Sequence, residues 1–325
     1  MKYYIGIDGG ASKTRGLLAD ENGDILADYT EIGSNYQIVG TDIARHILEN
    51  LITKLIETAK ISLCDITFVE FALAGADLEE DFKALQDMVL SFLKDIPFEV
   101  VNDAWGLQRS GLKQAWGGVS IYGTGSNAGV VNPQGERYIL RALTYPLGGG
   151  GGGHEMSLEA LHYMFRADEQ TYKPTLLTKR LPELLGFESP THMIPSLYPT
   201  ENLTRTQLNL IPPLVFELAN EYDQVCIEIL ERHGRTHGQM ICGVIRQSST
   251  QDTAIPIVLG GSVYKGSNPT FINALKEEVL KVSPLATFIQ SHYPPVAGAL
   301  FLAFEKTGII LDPHYYSNFD AYFNM

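Results

Sequence analysis

Tyr4-Ile5-Gly6-Ile7-Asp8-Gly9-Gly10-Ala11-Ser12-Lys13-Thr14 begins as an alternating apolar strand, reaches a carboxylate and ends in a turn of glycines and hydroxyls. A second apolar run at 16–19, the turn Glu21-Asn22-Gly23-Asp24 and a third strand at 25–27 complete the segment. Short apolar runs parted by a glycine turn and an Asn-Gly turn predict a three-strand antiparallel meander. The pattern returns farther on, as a strand at 118–122, the tight turn Gly123-Thr124-Gly125-Ser126-Asn127, a strand at 128–131, the turn Pro133-Gln134-Gly135-Glu136 and a strand at 138–140. Asp8 precedes Gly23 by 15 residues and Tyr122 precedes Gly135 by 13, so the two segments agree in kind and length. That self-similarity predicts an internal duplication, with two α/β domains each opening on the same meander.

Helix and strand signals alternate around these segments. Thr41-Asp42 predicts the cap of an amphipathic helix to about Thr58, with Ile43, Ile47, Leu51 and Leu55 on one face. After a strand at Ile66–Leu73, Asp77 with Glu80 predicts a capping box for a helix carrying Phe82, Leu85, Val89 and Phe92. A strand at 98–101 then runs into Asn102-Asp103-Ala104-Trp105, where a polar strand end meets a helix start. Beyond the second meander, helices are expected at about 155–166, 173–184 and 213–246, the last interrupted near Gly234. A strand at 255–259 enters Gly260-Gly261-Ser262, and helices follow near 270–281 and 295–306. The division expected is an N-terminal domain over 1–115 and a larger C-terminal domain over 116–325, with a cleft between them and the helix from about 295 free to pack back on the first.

Composition removes several function classes. Hydrophobic residues make up 45% of the 325, the content of a globular protein with a sizeable core. A formal charge of −14 without a local basic cluster opposes nucleic-acid binding. Three scattered cysteines, Cys64, Cys226 and Cys242, fit a reducing cytosol and read as buried small apolar residues. The N-terminus shows no export signal and no apolar run is long enough to span a membrane, so a soluble cytoplasmic protein is expected. His233 and His237 have the i, i+4 spacing of a helical metal pair, yet the residues between them lack the Glu of a metalloprotease motif, and a solvated helix face is expected.

Two β-hairpins tipped with glycine and hydroxyl residues suit nucleotide phosphates, because glycine lets backbone N–H groups approach and Ser or Thr adds a donor. One carboxylate stands at the first hairpin and Asp103 before the second. One can organise Mg²⁺, and the other can take the proton of an attacking hydroxyl. Asp103 also has an ordinary alternative role as a helix N-cap, and Asp8 as the close of a turn.

With these motifs in order, the chain resembles the N-acetylglucosamine kinase and BadF/BadG/BcrA/BcrD-type ATPase family of the actin/Hsp70/hexokinase superfamily, from Tyr4 to about Glu305. Asp8-Gly9-Gly10-Ala11-Ser12-Lys13-Thr14 resembles its first phosphate motif, Val101-Asn102-Asp103-Ala104 the segment with its catalytic Asp, and Gly123-Thr124-Gly125-Ser126-Asn127 its second phosphate motif. Leu259-Gly260-Gly261-Ser262-Val263-Tyr264-Lys265 resembles the adenosine-side turn, and Pro294-Pro295-Val296-Ala297-Gly298-Ala299-Leu300 the closing helix. The resemblance implies two duplicated actin-like (ribonuclease H-like) domains and phosphoryl transfer from ATP with Mg²⁺ to a sugar hydroxyl. Asp103 is then the base and Asp8 the metal residue. Gly9, Gly10, Ser12, Lys13, Thr14, Gly123, Thr124 and Gly125 lie along the phosphates, and Gly260, Gly261, Ser262 and Lys265 along the nucleoside. Asn35, in Ser34-Asn35-Tyr36, stands where relatives place a sugar-contacting Asn, against the alternative of a turn Asn; Ser126 and Asp103 join it on the substrate side.

One departure stands out. Relatives carry Gly-Gly-Trp-Gly and then Leu-Gly-Asp-Glu-Gly-Ser-Gly, whose acidic pair helps hold the sugar. Here the stretch reads Arg141-Ala142-Leu143-Thr144-Tyr145-Pro146-Leu147 and then six glycines, 148–153, before His154-Glu155, with Gly149-Gly150 in place of the pair. The glycine run predicts vacated volume for a larger or differently substituted acceptor, with His154 or Glu155 as substitutes for the missing carboxylate. It also motivates a rival reading as a sugar or nucleotide sensor without turnover. A second rival, a BadF-like ATPase that activates a partner enzyme, requires an iron–sulfur cluster held by paired cysteines across a dimer, a pattern these three cysteines do not make. A homodimer is otherwise left open.

Overall fold

The computed structural model describes residues 1–143, 145–200 and 202–324. The chain forms two compact units, one of Met1–Val119 with Ile289–Met325 and the other of Ser120–Phe288, each built around a five-stranded sheet.

In the first unit, β1 (Tyr3–Gly9), β2 (Lys13–Asp20) and β3 (Ile25–Ile32) form the expected antiparallel meander. β4 (Ile66–Leu73) lies parallel to β1, and β5 (Phe98–Asn102) parallel to β4, giving the order β3-β2-β1-β4-β5. Tyr4 to Ile7 are all buried, because helices cover both faces of the sheet. Ile5, Ile7, Val69 and Phe71 pack with Leu48, Leu51 and Leu55 of the Thr41–Ala59 helix and with Leu85 and Val89 of the Glu79–Leu93 helix. On the opposite face Tyr4, Leu17 and Phe68 meet Leu300, Phe301 and Phe304 of the Pro295–Lys306 helix and Phe319 of the Pro313–Phe323 helix. Gly6 is glycine for a packing reason: the Leu300 backbone occupies the place of its Cβ.

Two helix starts differ from expectation. The Thr41–Ala59 helix begins after Gly40 with no side-chain cap, and Ile43 is 55% exposed while Ala44, Leu48 and Ile52 join Ile47, Leu51 and Leu55 in the buried stripe. The Asp77–Glu80 capping box does not form. Leu78 caps the Glu79–Leu93 helix, its N–H donating to Asp81 Oδ2 (2.8 Å), and Asp77 turns to Asn102 instead.

The second unit repeats the plan with β6 (Gly117–Tyr122), β7 (Ser126–Val131), β8 (Arg137–Ile139), β9 (Pro256–Gly260) and β10 (Thr287–Gln290) in the order β10-β9-β6-β7-β8. Counted from the opposite edge this is the strand order of the first unit, so the duplication is topological. The expected helix over 213–246 breaks at 221–223, where the Asp223 side chain caps Gln224–Gln247 by accepting from the Cys226 N–H (3.0 Å). Gly234 does not interrupt that helix. A Cβ on Gly234 would lie 3.0 Å from the Ala274 Cβ, and one on Gly238 2.8 Å from the Leu275 carbonyl, so these glycines let the Thr270–Val282 helix approach closely. Cys226 and Cys242 are buried as expected, but Cys64 is exposed, and all three are free thiols. Among the described residues no helix is long and apolar enough to cross a membrane.

Candidate active site

β1, β4 and β5 run parallel, so their C-terminal ends share one edge of the first sheet, the edge where open α/β sheets bind ligands. Asp8 stands near the end of β1, opposite Ala72 of β4 and Arg15 of β2. Asn102 ends β5 opposite Leu73, which brings Asp103 to the same edge. The capping role open to Asp103 belongs to its neighbour: Asn102 Oδ1 accepts from the Ala104 N–H (3.0 Å), while Nδ2 donates to the Ala76 carbonyl (3.1 Å) and Asp77 Oδ1 (3.0 Å). Asp103 is the first residue of the Asp103–Gly111 helix. That helix is locked in place. Gly298 of the Pro295–Lys306 helix abuts the Gly106 carbonyl with no room for a Cβ, and Arg109 forks onto Glu305 (Nη2–Oε1 2.8 Å, Nε–Oε2 3.1 Å).

The carboxylates of this edge resist ionisation. Burial pushes the Asp103 carboxyl up to about 7, and Asp8 and Asp77 add to the rise. Burial likewise raises Asp8 to about 6 against the pull of Lys13 and Arg15, and raises Asp77 to about 6 with help from Asp81. A cation or a proton donor relieves such a cluster. Among the described residues no group of three or more His, Cys, Asp or Glu could hold a metal. Mg²⁺ keeps its waters and needs only one or two carboxylates beside phosphate oxygens, so the oxygen donor of Asp8 fits it.

The first hairpin presents Ser12 and Lys13 at an exposed tip, and the Gly10 N–H closes the turn on the Lys13 carbonyl (2.9 Å). Gly9 has no space for a side chain, since its Cβ would lie 2.8 Å from Ser34 Oγ. Thr14 is fully buried and donates to Ser34 Oγ (2.8 Å), so its hydroxyl braces the hairpin from behind. Asn35 caps the short turn Tyr36–Val39, Oδ1 accepting from the Gln37 N–H (3.0 Å), which is the turn role the sequence holds open for it.

In the second unit the hairpin Gly123-Thr124-Gly125 joins β6 to β7, and the glycine run packs directly against it. The Gly153 N–H donates to the Gly123 carbonyl (2.7 Å), the His154 N–H to the Thr124 carbonyl (3.1 Å), and Ser126 Oγ to the Gly150 carbonyl (3.0 Å). Gly148, Gly150, Gly151 and Gly152 have φ of 81°, 151°, 99° and 107°, a backbone that side chains rarely adopt. A Cβ on Gly152 would reach 2.7 Å from the Gly125 Cα, and one on Gly149 would run into the Leu143 carbonyl. At Gly149 and Gly152, then, the room a side chain would need is taken by the Leu143 carbonyl and the Gly125 backbone, while a Cβ on Gly148 would meet nothing within 4 Å. Thr144 lies outside the described residues. Gly261, at φ 106°, backs onto the same hairpin, where its Cβ would sit 2.9 Å from the Gly123 nitrogen. Gly260 ends β9, and Ser262 and Lys265 bound an exposed turn just beyond.

The expectation of a solvated histidine face fails. His233 and His237 are 8% and 1% exposed, because their helix face meets Ser120, Tyr122 and Glu159 instead of water. Burial, and then His233, pushes the His237 imidazole down to about 3, so it is neutral. Sequence spacing marks the pair but not its burial; the glycines at 234 and 238, which draw a neighbouring helix onto this stretch, are the signal that could have shown it.

Chains of known activity align along nearly the whole sequence. An N-acetyl-D-glucosamine kinase of Dictyostelium discoideum is 27% identical over 93% of this chain and 98% of its own. An N-acetylmuramic acid/N-acetylglucosamine kinase of Clostridium acetobutylicum is 25% identical over 91% and 93%. Among solved structures, one from Chromobacterium violaceum, provisionally assigned as an N-acetylglucosamine kinase, superposes with a TM-score of 0.67 at 19% identity, over 93% of this chain and 99% of that one. It shares the architecture of two α/β units of the actin-like ATPase type. The family model for BadF/BadG/BcrA/BcrD ATPases matches residues 5–303, and the chain belongs to that family.

Proposed function

We propose that the protein is an ATP-dependent kinase that phosphorylates a hydroxyl of a small amino sugar, an N-acetylhexosamine or a relative. The observation that carries this reading is the Asp103 carboxyl, held at about 7 at a helix start that Asn102 already caps. A group poised near neutral pH suits a base that accepts the proton of an attacking hydroxyl. The hydroxyl oxygen then bonds to the terminal phosphorus of ATP as the bond to ADP breaks. Asp8 would hold Mg²⁺, directly or through water, and the ion when bound would supply positive charge to offset that of the transferred group. Gly9, Gly10, Ser12 and Lys13 of one hairpin and Gly123, Thr124 and Gly125 of the other line the phosphates, Thr14 bracing from behind. Gly260, Gly261, Ser262 and Lys265 follow the nucleoside, and Asn35 and Ser126 border the sugar. Membership of an ATPase family and the names of the two sequence relatives support the donor and the acceptor class. A kinase of this kind works in the cytoplasm, in keeping with three unpaired cysteines.

The test is ADP release by the pure protein with Mg-ATP across hexoses, N-acetylhexosamines and muramic-type sugars, beside a melting curve. Millimolar Mg-ATP is expected to raise the melting temperature, since a ligand of the native state stabilises it by mass action, and at least one sugar to stimulate ADP release. A flat melting curve together with sugar-independent ADP release would sink the proposal.

A further inference from the structure

We propose that His233 and His237 form one positioning post for both nucleotide turns of the second unit, His233 holding Gly123-Thr124-Gly125 through Tyr122 and His237 holding Gly260-Gly261 through Ser120 and Tyr264. The inference rests on the reading of those turns as phosphate and nucleoside contacts.

His233 Nε2 lies 2.8 Å from Glu159 Oε2 and its Nδ1 2.5 Å from the Tyr122 hydroxyl. A carboxylate only accepts, so Nε2 carries the proton and, in the neutral ring, Nδ1 accepts from Tyr122. Glu159 thus fixes the tautomer that aims the phenol. Tyr122 is the last residue of β6, next to Gly123, and its hydroxyl also sits where Gly151 lacks a side chain, 3.1 Å from the place of a Cβ. One helical turn along, His237 Nε2 lies 2.7 Å from Ser120 Oγ, which lies 2.6 Å from the Tyr264 hydroxyl. Tyr264 belongs to the Ser262–Lys265 turn that follows Gly261. The Tyr122 ring meets the His237 ring edge-on at 4.7 Å, tying the two relays together. Both histidines project from the 24-residue Gln224–Gln247 helix, so two loops that already touch at Gly123 and Gly261 take their position from one element. Loops alone hold ligand contacts loosely, and small misplacements of a phosphate cradle are costly.

Tyr122→Phe and Tyr264→Phe each remove one oxygen and keep the ring. Calorimetric binding of Mg-ADP, read beside the kinetic constants, tests the post. Each variant is expected to raise the Kd for Mg-ADP and the KM for Mg-ATP about tenfold, roughly the worth of one hydrogen bond, while the KM for sugar stays within about twofold. The double variant is expected to fall short of the product of the singles, because contacting residues couple. Should either Phe variant fail to fold, His237→Gln, which keeps a polar atom near Ser120, is judged by the same split. Unchanged Mg-ADP binding with a lowered melting temperature, or equal losses for nucleotide and sugar, would overturn the post as a nucleotide device. A wild-type chain that does not bind Mg-ADP would instead remove the proposed function beneath it.

Discussion

Asp103 combines a half-buried carboxyl, two acidic neighbours and a backbone start whose capping is done by Asn102. Asp103→Asn keeps the shape and removes the base. Turnover is expected to fall by about 10²-fold or more with Mg-ATP binding nearly intact, and normal turnover in a normally folded variant would remove Asp103 from the mechanism. The same substitution changes the pH dependence of stability in the ligand-free protein. Because the folded pKa, about 7, lies above the ordinary 3.8, the folded state binds the extra proton. Its stability is then full below about pH 4 and declines as pH rises through 7. Asp103→Asn is therefore expected to melt higher than the wild type at pH 8, with the gap closing towards pH 4.5. Melting curves across that range decide it, and a gap constant with pH would show that Asp103 is not strained in the folded protein. Active sites commonly store such strain at the expense of stability.

Elements hold that residue in place, and here packing outweighs anything visible in local sequence. The Asp103–Gly111 and Pro295–Lys306 helices cross where Gly298 meets the Gly106 carbonyl. Gly298→Ala forces a methyl into filled space, and a loss of about 1–3 kcal/mol is expected. Since the Asp103 helix must shift to admit it, kcat is expected to fall as well; denaturant unfolding and turnover check both, and an unchanged kcat would show that Asp103 is held by Asn102 alone. The strands of both meanders were legible because short apolar runs and glycine-bearing turns are local signals, and Asp8, Asp103 and the glycine turns were legible because they sit at strand ends. What escaped was set by distant contacts. Gly234 reads as a helix breaker, yet it faces Phe271 and Ala274 across a helix contact. Asp77 reads as a cap until Asn102 claims it. The short β10 and the Pro313–Phe323 helix carry weak periodicity and owe their order to the sheet and aromatic cluster they join.

Over the whole chain, each unit carries a glycine hairpin, but the carboxylates raised by burial gather in the first unit and the long glycine run lies in the second. By resemblance an acidic pair would face sugar hydroxyls where Gly149 and Gly150 stand, and a buried carboxylate there makes charge-assisted hydrogen bonds worth several kcal/mol in sum. The structure gives that position only backbone, already engaged, since the Gly150 carbonyl accepts from Ser126 and the Gly153 N–H donates to Gly123. Side chains at Gly149 and Gly152 would run into the Leu143 carbonyl and Gly125. The nearest acid in the chain is Glu155, half-buried in the first turn of the Gly153–Asp168 helix. Plain N-acetylglucosamine is therefore expected to be a poor acceptor, with kcat/KM well below the ~10⁴ M⁻¹s⁻¹ at the lower end of ordinary enzymes, and a differently substituted amino sugar a better one. Steady-state kinetics over the acceptor panel measure this directly. Ordinary efficiency with N-acetylglucosamine would refute the expectation, and Glu155→Gln then tells whether Glu155 supplies the contact: a rise in the sugar KM with an unchanged KM for Mg-ATP assigns it, and equal constants send the search to the first unit, where Asp77 lies beside Asp103.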